Sequence, residues 1–197
     1  MSMEVNRVQR KRIPYGMSNF ASVRKDCYFV DKTHFIPELE RANKFFFFIR
    51  PRRFGKSLTL SMLKHYYDIN RADQFEKLFG DLYVGQHPTE ERNSYLVLEL
   101  DFSVIDGSLG NYRKSMDVHC NIHFNSFCDV YAQYLPEGIK QEMNLKEGAV
   151  AQLEYLVDEC AKVGRKIFLF IDEYDHFTND ILTDANRLKD YESETHG

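Results

Sequence analysis

Residues 50–60 read RPRRFGKSLTL, and the fold turns on this stretch. It contains Gly55-Lys56-Ser57, the second half of the phosphate-loop pattern G-x-x-x-x-G-K-[ST], with Arg50 in place of the leading glycine. The chemistry of a bound phosphate explains these residue types. Gly55 lets the backbone approach the oxygens, and the N–H groups from Phe54 to Leu58 point at them from a helix start, with Arg53 adjoining. Lys56 reaches the β- and γ-phosphates, and Ser57 ligates Mg2+. A three-residue match recurs by chance, so its flanks decide. Upstream, KFFFFIR (44–50) is a short apolar run bounded by charges, as a buried parallel strand reads. Downstream, SLTLSMLKHYYDI (57–69) places Leu60, Leu63 and Tyr67 at helical spacing without a proline. The spacing predicts strand, loop, helix.

A second half of such a site stands near the other end. KIFLFIDEYD (166–175) is an apolar strand running into acids, with Asp172 placed to hold a metal shell and Glu173 to polarise an attacking water. Between the two halves, YLVLELDF (95–102) reads as another strand. YRKSMDVHCNIHFNSFCDVYAQYL (112–135) reads as an amphipathic helix carrying Met116, Cys120, Phe124, Phe127 and Tyr131, closed by Pro136. AVAQLEYLVDECAKVG (149–164) is a further helix, with Val150, Leu153, Leu156, Val157 and Cys160 on its apolar face and Gly164 as its stop. Apolar strands alternating with amphipathic helices predict an α/β domain, here a P-loop NTPase with a mainly parallel sheet flanked by helices. Both motifs fall at strand ends, the edge where parallel sheets bind ligands.

Composition narrows the class. With 43% hydrophobic and 14% aromatic residues, a 197-residue chain has enough apolar surface for one packed domain and is not a disordered segment. A formal charge of −4 gives no global attraction to nucleic acid or anionic membrane; only RVQRKR (7–12) and RPRR (50–53) are locally basic. The first reads as a solvated arm. Four cysteines without a CxxC pair suit reduced thiols, the N-terminus has no apolar signal region, and FFFFI is too short to span a bilayer. The expected setting is cytoplasmic, away from membrane. His119, Cys120, His123 and Cys128 are zinc-binding types, but they form one helical cluster without a second ligand pair, so no stoichiometric metal is expected there. Phe45–Phe48 read as core strand rather than a platform for stacked bases, and no cysteine sits in a setting that activates a thiol.

Taken with their order, these segments resemble the AAA-ATPase-like family, a divergent P-loop group. IPYGMSNFASVRKDCYFVDKT resembles the family's opening, and RPRRFGKSLTLSML its phosphate loop, which also carries arginine in place of glycine. FEKLFGDLYVG, YLVLELDFS and FLFIDEYD follow in the family's order, so the resemblance covers residues 13–180, leaving 1–12 as a basic arm and 181–197 as a polar tail. It implies ATP and Mg2+ as ligands, Lys56 and Ser57 as phosphate and metal contacts, and Asp172 and Glu173 as metal and catalytic carboxylates. Arg52 and Arg53 either pair with acids such as Asp172 or Asp175 or add phosphate contacts. The Asp31-Lys32-Thr33 box has no chemistry assignable from sequence.

Such ATPases place an extra strand, later in the chain, between the phosphate-loop strand and the acidic strand. Residues 176–197 hold no apolar run for it, so the sheet is expected to be incomplete at its C-terminal end and the chain to be the N-terminal portion of a longer protein. Family members commonly continue into a restriction-endonuclease-like nuclease domain, through which alone nucleic acid enters the expectation. The expected function is ATP binding and hydrolysis by a regulatory or motor module, weak in this chain alone. The alternatives are a nucleotide-gated interaction module, with a protein partner or second copy, and a nucleic-acid-associated accessory domain.

Overall fold

The computed structural model describes residues 11–42, 45–49, 54–105 and 112–173. Residues 1–10 of the basic arm, Arg50, Arg52, Arg53, Asp175 and the polar tail lie outside the described residues. The chain divides into two compact units, residues 1–94 and 95–197.

The first unit is helical. It contains α1 (Phe20–Asp26), α2 (Ile36–Arg41), α3 (Lys56–Tyr67), α4 (Phe75–Phe79) and α5 (Tyr83–Gln86). Asn19 starts α1 by accepting the Ser22 N–H at 2.9 Å, which satisfies one of the donors a helix start leaves open. The predicted helix after Gly55 is α3. It buries Met62, Leu63, Tyr66 and Tyr67 along one side. Phe20, from α1, packs against Phe79 of α4 with ring centroids 4.9 Å apart, and Tyr66 meets the same Phe79 at 5.6 Å. Ser61 is buried within this aromatic core because its hydroxyl accepts the Phe20 N–H at 3.0 Å.

Of the strand expected over 44–50, the described residues 45–49 are not in a strand. Residues 45–49 are irregular, and Phe45, Phe47 and Ile49 are 89%, 79% and 80% exposed. An all-apolar strand is stable where neighbouring strands and layers cover both its faces, and among the described residues no strand pairs with this run. High strand propensity in five residues cannot replace it.

The second unit is built on two parallel strands, β1 (Tyr95–Asp101) and β2 (Lys166–Asp172), in register from Tyr95 opposite Lys166 to Asp101 opposite Asp172. Among the described residues these are the strands of the sheet, so the architecture is compatible with an α/β fold. Among the described residues, the α-helices beside them are α6 (Tyr112–Val130), α7 (Ile139–Asn144) and α8 (Gly148–Lys162). Leu96, Leu98 and Leu100 alternate into the core as period-two geometry requires, and Cys120, Phe124 and Phe127 of α6 are buried as their spacing predicts. β2 is less covered than expected: Phe170 is buried while Leu169 and Ile171 are exposed.

The apolar face of α8 is also rotated from the predicted one. Val150 and Val157 are exposed, and the buried line is Ala149, Gln152, Leu156 and Cys160. Gln152 tolerates burial because its amide is bonded at both ends. Its oxygen accepts from Asn121 Nδ2 at 3.2 Å and its nitrogen donates to the Lys146 carbonyl at 3.3 Å. All four cysteines are free and buried. Burial pushes the thiols of Cys120 and Cys128 up to about 11 and that of Cys160 up to about 12, which keeps them protonated and unreactive.

Candidate functional site

The Gly-Lys-Ser loop enters α3 through Gly55, whose φ of 79° and ψ of 23° lie in the left-handed region. A side chain there would meet no neighbour within 4 Å, so the glycine answers to conformation rather than to crowding. Lys56, Ser57 and Leu58 occupy the first turn, with Ser57 exposed. Gly55, the residue before this helix, offers no side-chain cap, and the first turn carries no acid. A 12-residue helix thus presents its partially positive end at this point, with no acid in its own first turn. The residue types and the helix end fit an oxyanion. The Thr59 N–H donates to the Gly55 carbonyl at 2.9 Å, which fixes the turn.

The acidic motif belongs to the second unit. Asp172 ends β2, and its Oδ1 accepts the Glu173 N–H at 3.0 Å. Glu173 has φ 54°, one of two non-glycine residues with positive φ among those described. Left-handed backbone at a bulky residue is uncommon. Asp101 lies opposite Asp172 in the register, so both strands end in a carboxylate at one level. Sequence reading missed Asp101; its signal was the matching apolar-then-acid ending of LELD and LFID. Burial alone raises the Asp101 carboxyl, but the Ser103 N–H, at 2.9 Å, and hydroxyl outweigh it and hold the carboxyl low, with His119 and His123 adding to this. Those histidines lie side by side, ring centroids 4.4 Å apart. Among the described residues no three histidine, cysteine or acidic side chains group as ligands of one ion.

The Asp31-Lys32-Thr33 box has a structural role that sequence did not reveal. Asp31 Oδ1 accepts from the Thr33 N–H at 2.8 Å and hydroxyl at 2.7 Å, and Oδ2 accepts the Tyr83 N–H at 2.8 Å. The Thr33 hydroxyl in turn accepts the Val84 N–H at 3.1 Å. The box therefore caps α5 from 52 residues away, at a helix whose own preceding residue offers no side-chain cap. Burial would raise the Asp31 carboxyl, yet the N–H bonds from Tyr83 and Thr33, with the Thr33 hydroxyl and His34, hold it below the ordinary aspartate value. Gly85 completes the arrangement. A Cβ there would come within 1.9 Å of the Phe79 carbonyl, so only glycine lets α5 sit on α4. DKT and FGDLYVG are two parts of one anchor.

Beside that anchor, a cavity of about 680 Å³ opens within the first unit. Gly55, Leu58 and Thr59 line one part of it, and Ile13, Pro14, Tyr28 and Val30 another.

Among known proteins, a curated relative from Azotobacter chroococcum mcd 1, described as "Uncharacterized protein in vnfD 5'region", is 31% identical over 179 residues. The alignment takes in 89% of this chain but 31% of the relative, so the chain spans about a third of that protein's length. No solved structure matches the chain. The profile of the family described as Predicted AAA-ATPase matches residues 14–196. Covering nearly the whole sequence, that match establishes that the chain belongs to the AAA-ATPase-like family.

Proposed function

We propose that the chain is the nucleotide-binding part of a P-loop NTPase that takes ATP with Mg2+. Family membership supports nucleotide binding in general. The observation that carries the finer reading is left-handed Gly55 at the start of α3, with Lys56 and Ser57 in its first turn. In this reading the backbone N–H groups from Phe54 to Leu58 hold phosphate oxygens, Lys56 neutralises the β- and γ-phosphates, and Arg53 adds charge beside them. Ser57 would give the metal an oxygen ligand beside the phosphates, with phosphate and water completing its shell, and Asp172 is the metal carboxylate that the family resemblance implies. Mg2+ supplies charge neutralisation at the transferred phosphoryl group. Glu173 orients the attacking water and takes its proton, as a general base.

Hydrolysis and mere nucleotide gating separate at Glu173. Glu173→Gln keeps the shape of the side chain while removing the base. In the full-length protein it should retain ATP binding and slow phosphate release by roughly 10²–10⁴-fold. Equal, near-zero release from both proteins with ATP bound would identify a gating module instead.

A further inference from the structure

The cavity beside the Gly-Lys-Ser loop is a built feature of the first unit. One wall is the 12–14 segment, held to the end of α1 by Arg12 N–H donating to the Asp26 carbonyl at 3.2 Å and Tyr28 N–H donating to the Arg12 carbonyl at 2.7 Å. The next wall, residues 28–32, is fixed at its far end by the Asp31–Thr33 anchor to Tyr83 and Val84. The floor comes from Ile36 of α2 and Met62 of α3, both buried. Its charged lining residues are Lys32 and Glu38; the rest of the surface is mainly aliphatic and aromatic. Ile13, Tyr28 and Val30 are 84%, 68% and 73% exposed there, an apolar surface that needs an occupant.

What identifies the occupant is continuity. Phe54 and Gly55 line the cavity and also form the entry to α3, so a molecule anchored by phosphates at that helix start extends into the cavity. At about 680 Å³ it lies in the range of small-molecule pockets. Tyr28, Phe35, Phe54 and the Pro14 ring offer flat apolar faces, which suit a planar heterocycle. We propose that this cavity receives the nucleobase of the nucleotide whose phosphates are held at Gly55–Leu58, adenine where the nucleotide is ATP. The proposal rests on the phosphate-loop reading and adds the base-binding residues, chiefly Ile13, Pro14, Tyr28, Val30 and Phe54. Anchoring of the pocket wall then gives the Asp31-Lys32-Thr33 box its functional consequence.

Calorimetry with the 197-residue chain, comparing Mg-ATP with Mg-tripolyphosphate, separates base from phosphate. Wild type should bind ATP at least about tenfold tighter than tripolyphosphate. Val30→Trp, which fills the cavity from an exposed position, should weaken ATP by at least about tenfold and leave tripolyphosphate within about twofold. Tyr28→Ala, which removes a wall, should do the same and serves if the tryptophan variant does not fold. Lys56→Ala should lose both ligands. Equal affinity of wild type for the two ligands, or unchanged ATP affinity in the folded cavity variants, overturns the base pocket while dependence on Lys56 keeps the phosphate loop. Loss of tripolyphosphate in a cavity variant also overturns it, because the effect is then not on the base. Failure of both ligands to bind wild type overturns the phosphate-loop reading and the pocket together.

Discussion

Gly55 and Glu173 share a left-handed backbone for different physical reasons. Glycine adopts φ 79° without penalty, whereas at Glu173, φ 54° costs of the order of 1–2 kcal/mol and is held in place by the Asp172 carboxylate accepting its N–H. The first was legible in sequence as the residue type a phosphate loop needs; the second was not, because nothing in DEYD announces positive φ. His65 shows a further effect invisible to pattern reading. Its Nδ1–H donates to the Ser61 carbonyl at 2.7 Å, and its Nε2 accepts from the Arg71 guanidinium at 2.9 Å, which fixes the neutral ring. Burial lowers its pKa, the Ser61 carbonyl opposes this, and Arg71 adds to the lowering. The folded chain therefore binds fewer protons than the unfolded chain below the ordinary histidine value of 6.5. That stabilisation is complete above this value and is lost as pH falls through the lower folded one. Urea midpoints measured from about pH 7.5 to about pH 5.5 should fall more steeply for wild type than for His65→Gln. Parallel slopes would remove His65 from the explanation.

At the level of elements, the Asp31–Thr33 anchor is the most exposed to a direct test. Thr33→Val keeps the volume but leaves the Val84 N–H without its acceptor in a fully buried position. Such an orphaned donor costs about 1–3 kcal/mol, so the urea unfolding free energy should drop by that amount. A change under about 0.3 kcal/mol would mean that the Thr33 hydroxyl has no part in holding α5. Periodicity located the elements whose patterns are local. Helices α3, α6 and α8 and strands β1 and β2 fall where the spacing of their apolar residues places them, to within a few residues. It failed where the decisive partner is distant. The run at 45–49 has strand composition without strand structure, Gln152 is buried through a bond from Asn121 and one to the Lys146 carbonyl, and α5 is capped from the DKT box. None of these can be read from neighbours in sequence. The candidate site divides in the same way. Its residue types were legible at Lys56, Ser57, Asp172 and Glu173, whereas Asp101 and the cavity walls required the register and the packing.

The whole molecule presents two units, one with the Gly-Lys-Ser loop and one with the paired acidic strands. The chain spans 31% of its Azotobacter relative, so the activity of a full-length protein is a proposal built from these parts. Exposed Phe45, Phe47 and Ile49 give the first unit an apolar surface of the kind that drives association. The 197-residue chain should therefore form concentration-dependent oligomers by light scattering, and Phe45→Glu combined with Phe47→Glu should shift it toward monomer; a monodisperse wild-type monomer at high concentration would contradict this. In the first unit, left-handed Gly55 leads into the start of α3, with Lys56 in its first turn. The central claim is that this end holds the phosphates of a nucleotide. Isothermal titration of Mg-ATP into wild type and Lys56→Ala, with circular dichroism to verify folding, tests it most directly. Saturable binding to wild type and loss of at least about a hundredfold in affinity for folded Lys56→Ala is the predicted result. Equal ATP affinity in the two folded proteins would contradict it.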